Sequence, residues 1–268
     1  ATIGPASAQP KTLEALIRSG MDVARLNFSH GTYAEHTLLI RHIRAAAKKV
    51  GRTVAIMQDL QGPRIRVGQV SRDGVEIRRG EAVVLVPEHM INYKLLVSAD
   101  VKIIPHQYVN LYKDVKKGSH VLINDGLIDL RVTKLESRFV YAEVEKPGTI
   151  FSHKGINLLG VEVSSEVITA KDKQDLKFGL TQNIDYVALS FVKVPEHIRA
   201  LRKLIPRRKQ VLVVSKIERV EAVKNFKGIL EETDGVMIAR GDLGIELPPE
   251  DVPLIQKQLI QDCLTAAK

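Results

Sequence analysis

The spacing of apolar residues over the first sixty positions alternates between a helical and a strand period. Apolar residues recur every three or four positions in 10–19 and 32–50, which predicts two amphipathic helices that end at Gly20 and Gly51. The short apolar runs 21–26 and 53–57 have the unbroken hydrophobicity of strands buried on both faces. This order of elements is typical of a parallel α/β fold.

The pattern changes between about positions 62 and 160, where short β-rich runs alternate with turn residues. Five runs predict strands, at 75–77, 82–86, 120–123, 127–132 and 139–144. The triplet Asn124, Asp125, Gly126 lies between two of them and predicts a hairpin. The segment therefore predicts a small all-β domain inserted into the α/β one.

Helix–strand alternation returns after position 166. Helices are predicted at 171–180, 195–204, 219–230 and 253–267, and strands at 186–191, 210–217 and 235–239. About six buried strands favour a (β/α)8-type barrel, incomplete here, over an open sheet. The fold class predicted is thus α/β, an incomplete barrel with an inserted all-β lid domain. Its limits are 1–62 for the first part of the barrel, 63–161 for the lid and 162–268 for the continuation, truncated before the last strands.

Bulk composition excludes several protein classes. The 268 residues are 44% hydrophobic and 26% charged, as in ordinary globular domains, and no apolar run approaches the ~20 residues that span a bilayer. The single Cys263 cannot form an internal disulfide, which fits a reducing compartment. We therefore predict a cytoplasmic protein with no membrane partner.

The net charge of +9 suits a polyanionic partner such as nucleic acid or a phosphorylated metabolite. The basic residues form only short, dispersed clusters. Aromatic residues make up 4% of the chain and Trp is absent, which leaves few surfaces on which bases could stack. These features predict that nucleic acid is not a partner.

Charged residues follow directly on two of the predicted buried strands. Lys216 and Glu218 close the run 210–217, and Asp242 follows the run 235–239. In parallel α/β folds the carboxyl ends of the strands carry the chemistry. Two carboxylates beside a lysine can hold a divalent cation and a phosphate together. The plainer interpretation, structural ion pairs at a barrel rim, stays open at this point.

Six segments in chain order resemble those of pyruvate kinases. They are 1–7 (ATIGPAS), 25–31 (RLNFSHG), 59–66 (DLQGPRIR), 154–158 (KGINL), 215–218 (SKIE) and 239–244 (ARGDLG). The β-rich insertion is similar to that family's lid domain, so the match covers essentially the whole chain. The resemblance implies phosphoryl transfer from phosphoenolpyruvate to ADP, which gives pyruvate and ATP in glycolysis, with Mg²⁺ as cofactor.

The resemblance also implies a role for each matching residue. Glu218 and Asp242 would bind Mg²⁺, and Lys216 would neutralise the phosphoryl group in flight as a catalytic residue. Arg25, also catalytic, would clamp the substrate phosphate, while the backbone N–H groups of Gly241 and Asp242 bind the substrate carboxylate. The residues implied to bind the nucleotide are Asn27, Ser29, His30, Arg66 and Lys154.

One segment departs from the family pattern. Many members bind a monovalent cation through Asn, Ser, Asp and a Thr carbonyl, and the matching positions here are Asn27, Ser29, Asp59 and Leu60. Arg64 occupies the position where the family usually has Glu. A fixed positive charge there could replace that of the ion, so K⁺ is predicted to be dispensable.

Structural roles are the alternative for individual residues. Arg25 could simply pair with Asp22 or Asp59, His30 could be a turn residue, and Lys154 could be a solvated loop lysine. Two other functions also stay open: a Mg²⁺-dependent enolate lyase or aldolase of the same barrel superfamily, and a non-catalytic fragment that binds nucleic acid or full-length subunits. The lid and Lys154 argue against a lyase, which has no nucleotide to cover.

The resemblance further implies a homotetrameric parent enzyme. The last barrel strands and the usual assembly domain of that family have no counterpart in the sequence. We therefore expect this chain to behave as a fragment with impaired activity.

Overall fold

The computed structural model describes residues 1–91, 101–161 and 163–268 and divides into two compact units. The barrel unit comprises 1–63, 166–243 and 249–268, and the lid unit comprises 64–165 and 244–248. The domain limits predicted from the sequence remain a prediction, which this division does not test. None of the helices in the described ranges is both long and apolar enough to cross a membrane.

The barrel unit is built on a parallel sheet of five strands in the order β1-β2-β12-β13-β14. The strands are β1 (Val23–Asn27), β2 (Ala55–Asp59), β12 (Tyr186–Leu189), β13 (Leu212–Ile217) and β14 (Gly235–Ile238). A parallel bridge between Thr2 and Arg25 adds a sixth position beside β1. The fold is therefore the incomplete α/β barrel that the sequence predicts.

Eight helices lie wholly or mostly in the described part of the barrel unit. They are α1 (Pro10–Arg18), α2 (Tyr33–Val50), α4 (Ala170–Thr181), α5 (Pro195–Leu204), α6 (Val220–Lys224), α7 (Phe226–Glu232), α8 (Arg240–Glu246) and α9 (Val252–Thr265). Helix α2 begins at a capping box of Thr32 and Glu35 and ends at Gly51, whose φ of 74° is left-handed.

The single helix predicted over 219–230 is wrong. The structure has two helices there, because Asn225 leaves the helical conformation with φ −97° and ψ 14°. Its side-chain amide donates to the carbonyl oxygen of Lys193 at 2.9 Å. This is a tertiary contact, which the periodicity of apolar residues does not show.

Strand burial differs between the two runs that carry the strand-end motifs. Strand β13 is buried at every position after its first, as predicted. Strand β14 is half-buried at all four positions, so the prediction of a strand buried on both faces is wrong for it. Among the described strands β14 lies last in the sheet order and pairs on one side only, with β13.

The lid unit is almost entirely β-structure. Its elements are β3 (Ile65–Arg66), β4 (Val75–Ile77), β5 (Ala82–Pro87), β6 (Lys102–His106), α3 (Leu111–Asp114), β7 (His120–Ile123), β8 (Ile128–Glu136), β9 (Phe139–Lys146), β10 (Gly148–Ile150) and β11 (Gly155–Leu159). Seven of the strands form one sheet in the order β3-β11-β7-β8-β9-β5-β6. The predicted hairpin is confirmed, since β7 and β8 pair antiparallel across Asn124, Asp125 and Gly126, all at positive φ.

Burial of His106 in the lid unit predicts acid-sensitive stability. The ring is 1% exposed, and burial lowers the pKa of His106 from 6.5 to about 4, assisted by the nearby His89. The unfolded chain therefore binds more protons than the folded one between these two pKa values. Stability is lost as the pH falls through this window, by about 3 kcal/mol in total for this one residue.

We expect His106→Leu to remove this part of the pH dependence. Urea unfolding of both proteins at pH 7.5 and pH 5 should show the wild type losing about 2 kcal/mol more than the variant on acidification. Equal losses in the two proteins would show that His106 does not stay neutral in the folded lid unit.

Candidate active site

The carboxyl ends of the five barrel strands meet at one edge of the sheet. Asn27, at the end of β1, is in register with Asp59 at the end of β2, and Asp59 is in register with Ala188 near the end of β12. Side chains alternate along a strand, so Lys216 and Glu218 share one side of β13 and its extension while Ser215 lies on the other. The parallel topology therefore brings residues that are far apart in sequence to one place.

Lys216 is the centre of this site. Its side chain is 10% exposed, and its ammonium has three oxygen partners at the ends of three different strands. These are the Oε1 of Glu218 at 2.8 Å, the Oγ of Ser190 at 2.8 Å and the Oδ1 of Asp59 at 3.2 Å. An ammonium has three N–H donors, so this set uses all of them.

Asp59 links Lys216 to Arg25. The Oδ2 of Asp59 accepts hydrogen bonds from Nε and Nη2 of Arg25 at 2.8 and 2.5 Å. The Nη1 of Arg25 donates to the Oγ1 of Thr2 at 2.8 Å, and the Arg25 side chain is 28% exposed. Asp59, at 1% exposure, is thus a buried carboxylate placed between two cations, which offsets its desolvation.

Burial and charge act together on the lysine and the glutamate. Burial by itself would lower the pKa of Lys216, but the carboxylates of Glu218 and Asp59 outweigh it and leave that pKa raised. Burial raises the pKa of Glu218 despite the opposing effect of Lys216, and the charge of Asp242 adds to the rise. The site thus combines a charged lysine with two carboxylates whose mutual repulsion a cation would relieve.

The start of helix α8 contributes Gly241 and Asp242. An added Cβ at Gly241 would meet no atom within 4 Å, so there is open space beside this backbone. Within the described ranges no group of three or more His, Cys, Asp and Glu side chains is arranged to hold a metal. Glu218 and Asp242 alone would leave most coordination positions of a bound ion to water or substrate oxygens.

The turn after β12 supports the site from its backbone. Phe191 donates its N–H to the Oε2 of Glu218 at 2.7 Å and adopts a left-handed φ of 57°, which is strained for a bulky residue. Its ring packs so closely on Gly62 that a Cβ there would lie 2.8 Å from a ring carbon. The N–H of Gly62 is held by the buried Asp172 at 3.1 Å, which fixes the loop after β2.

Asn27 and His30 border a cavity of about 680 Å³ in the barrel unit. The rest of its wall includes residues 2–5, Glu35 and His36, and it is mainly apolar. The Oδ1 of Asn27 accepts the N–H of Ser29 at 3.0 Å, which tightens the turn that carries His30. The side chain of His30 is exposed, while its carbonyl oxygen lies 3.0 Å from the Nε2 of His36.

The remaining predicted nucleotide residues belong to the lid unit. Strands β3 and β11 pair antiparallel with Arg66 opposite Gly155, so Arg66 comes next to Lys154. The Nη1 of Arg66 donates to the carbonyl oxygen of His153 at 3.0 Å, and burial together with Arg64 lowers the Arg66 pKa. Lys154 is exposed. The predicted site residues therefore form two groups, one in each unit.

Two functional candidates were missed from sequence: Ser190 and Phe191. Both lie at the end of the strand predicted over 186–191, which in the structure ends at Leu189, and a lone Ser-Phe pair carries no charge signal. Asp59 was predicted as a cation ligand and as one of two possible partners of Arg25, and in the structure it pairs with both Arg25 and Lys216. A polar residue directly after a buried parallel strand is the one signal that could have indicated Ser190.

The profile of a known family, described as the barrel domain of pyruvate kinase, matches residues 1–268. The chain belongs to the pyruvate kinase family. It is 42% identical over 266 residues to the pyruvate kinase of Staphylococcus saprophyticus subsp. saprophyticus, with 98% of this chain and 44% of that protein covered. It is 41% identical over 265 residues to the pyruvate kinase of Staphylococcus aureus strain MRSA252, with the same coverage.

The chain therefore spans less than half the length of the curated relatives it matches. The family match does not favour the lyase or the non-catalytic alternative. The match confirms the resemblance to pyruvate kinases that the six sequence segments indicate.

Proposed function

We propose that the protein catalyses phosphoryl transfer from phosphoenolpyruvate to ADP, as the name of its relatives indicates. The observation that carries the proposal is the cluster of Lys216, Glu218, Asp59 and Arg25 at the carboxyl edge of the barrel sheet, in which only Arg25 is partly exposed. A phosphoryl group in flight needs little covalent help from a protein. It needs cations held in fixed positions, and the cluster supplies two of them.

In this proposal Arg25 binds the substrate phosphate and Lys216 neutralises the phosphoryl oxygens during transfer. Arg25 keeps a partly exposed guanidinium while Asp59 fixes its orientation through two hydrogen bonds. Lys216 is held by three acceptors and excluded from bulk water, which strengthens its field. Gly241 and Asp242 bind the substrate carboxylate, with the open space beside Gly241 in support.

The residues fit a magnesium ion. Glu218 and Asp242 provide hard oxygen ligands, and two carboxylates together with substrate oxygens and water are what Mg²⁺ commonly accepts. Burial is the main cause of the raised Glu218 pKa, and the charge of Asp242 adds to it; a bound cation would relieve that repulsion. When bound, the ion would neutralise charge on the transferring group and orient it.

For the nucleotide we propose the cavity beside Asn27 and His30 as the site of the nucleoside. Its mainly apolar wall and its volume of about 680 Å³ suit a base and ribose. Ser29, Arg66 and Lys154 are proposed as further ligands of the nucleotide phosphates.

A cytoplasmic location and a homotetrameric full-length enzyme are also part of the proposal.

The test is pyruvate formation measured by a coupled assay with phosphoenolpyruvate, ADP and Mg²⁺. We expect turnover that disappears when any one of the three is omitted. A folded protein that binds phosphoenolpyruvate but forms no pyruvate under these conditions would contradict the proposed function.

We expect this activity to be independent of potassium. Asp59, the charged member of the family's monovalent-cation set, already has Arg25 and Lys216 as partners, and the carbonyl oxygen of Leu60 accepts from Ser190 at 2.7 Å. Turnover in tetramethylammonium buffer and in potassium buffer should agree closely. The variant Arg64→Glu, which restores the usual family residue, should gain activation by potassium, and several-fold activation of the unmodified protein would contradict the prediction.

A further inference from the structure

Ser190 is a buried hydroxyl in the active-site cluster that no proposed role uses. It follows β12, is 2% exposed, and its Oγ lies 2.8 Å from the Nζ of Lys216. The same Oγ lies 2.7 Å from the carbonyl oxygen of Leu60 and 3.4 Å from the Oδ1 of Asp59. Ser190 thus touches the lysine and the loop after β2 at once.

The direction of these hydrogen bonds follows from the donors available. The ammonium of Lys216 can only donate, so the Ser190 oxygen accepts from it. The hydroxyl has one proton to give, and the shorter contact assigns that proton to the Leu60 carbonyl. The lone pair that faces Lys216 is therefore fixed by the backbone of the neighbouring strand end.

The same turn also holds the partner of Lys216. Ser190 accepts from the lysine, and the next residue, Phe191, donates its N–H to Glu218. Lysine has a long flexible stem, and two carboxylates alone do not define where a compact ammonium sits between them. A third, neutral acceptor whose lone pair has a fixed direction does define that position.

We propose that Ser190 is a positioning residue for Lys216, one that sets where the lysine charge stands relative to the transferring phosphoryl group. This inference rests on the proposed function. A displacement of about 1 Å in a catalytic group can cost roughly a hundredfold in rate, so the contribution of one well-placed hydroxyl is measurable.

The test compares Ser190→Ala with Ser190→Thr, which keeps the hydroxyl. We expect Ser190→Ala to lower kcat for pyruvate formation roughly ten- to hundredfold, with the KM for phosphoenolpyruvate changed far less, and Ser190→Thr to recover most of the loss. In a Lys216→Met background, Ser190→Ala should have no further effect, because the hydroxyl acts through the lysine. A similar loss in that background would overturn the proposal.

Ser215→Ala is the matched control. Ser215 is equally buried and adjacent to Lys216 on β13, but its hydroxyl bonds to the Oγ1 of Thr233 at 3.0 Å. It should keep the wild-type kcat. A comparable drop in both serine variants would indicate general destabilisation and overturn the positioning role.

A crystal structure of Ser190→Ala gives a readout that needs no activity. The proposal expects the Nζ of Lys216 to shift by about 1 Å from its position in the unmodified protein, and an unmoved Nζ would refute it. Absence of turnover in the unmodified protein would count against the proposed function alone, and the lysine position would still decide the inference.

Discussion

Replacing Lys216 with methionine is expected to lower kcat for pyruvate formation by at least about a thousandfold, the order by which a single cation accelerates phosphoryl transfer in related chemistry. Methionine matches the length of the lysine stem and removes its charge. Arg25 is held by Asp59 and Thr2, so it is not free to replace that charge. The effect should fall on kcat more than on the KM for phosphoenolpyruvate, which Arg25 continues to bind.

The same substitution has a cost in stability that must be separated from the loss of catalysis. Without the ammonium, the buried Glu218 loses its cation and Asp59 keeps only Arg25, and an unpaired buried charge destabilises by roughly 3–5 kcal/mol. Thermal unfolding and circular dichroism of the variant should therefore accompany the kinetics.

Lys173→Met provides the control for this experiment. Lys173 lies on α4 with half of its side chain exposed and pairs with the exposed Glu166 at 3.2 Å. It should retain full kcat. If folded Lys216→Met also kept a kcat within tenfold of the wild type, the assignment of Lys216 as the catalytic cation would be wrong.

The sequence could predict that Lys216, Glu218 and Asp242 come together, because a parallel topology is enough to bring them to one edge of the sheet. Parallel strands end at one edge, so charged residues after separate apolar runs must come together there. The pairing of Arg25 with Asp59 was foreseen only as one option, since the choice between Asp22 and Asp59 depends on strand register. Register across non-adjacent segments is not encoded in local periodicity.

Other features could not be predicted because they depend on tertiary contacts. The half-burial of β14 follows from its position in the strand order, which its apolar sequence does not reveal. The runs predicted from the sequence do not include β6, which contains Pro105, and proline normally argues against a strand. The hairpin at 124–126, in contrast, was predictable because its turn residues alone demand positive φ.

Replacing Glu218 with glutamine should remove metal-dependent activity while leaving the fold nearly intact. The loss of hydrogen-bonding partners of metal ligands alone commonly costs 10–100-fold in affinity, so losing a direct carboxylate ligand should raise the Mg²⁺ concentration for half-maximal activity at least roughly a hundredfold. Stability should fall less than in Lys216→Met, because Lys216 keeps Asp59 as a partner and no buried charge is left unpaired.

Measuring both stability and the dependence on Mg²⁺ distinguishes a metal ligand from a structural ion pair. If Glu218 only neutralised Lys216, glutamine would lower stability without changing the dependence on Mg²⁺. Direct binding of Mn²⁺, followed by electron paramagnetic resonance, should weaken in Glu218→Gln and stay unchanged in Glu231→Gln, where the exposed carboxylate on α7 lies outside the cluster. Unaltered Mn²⁺ affinity in folded Glu218→Gln would leave the rim ion pair as the correct interpretation, because a carboxylate that binds the ion directly cannot be neutralised without loss of affinity.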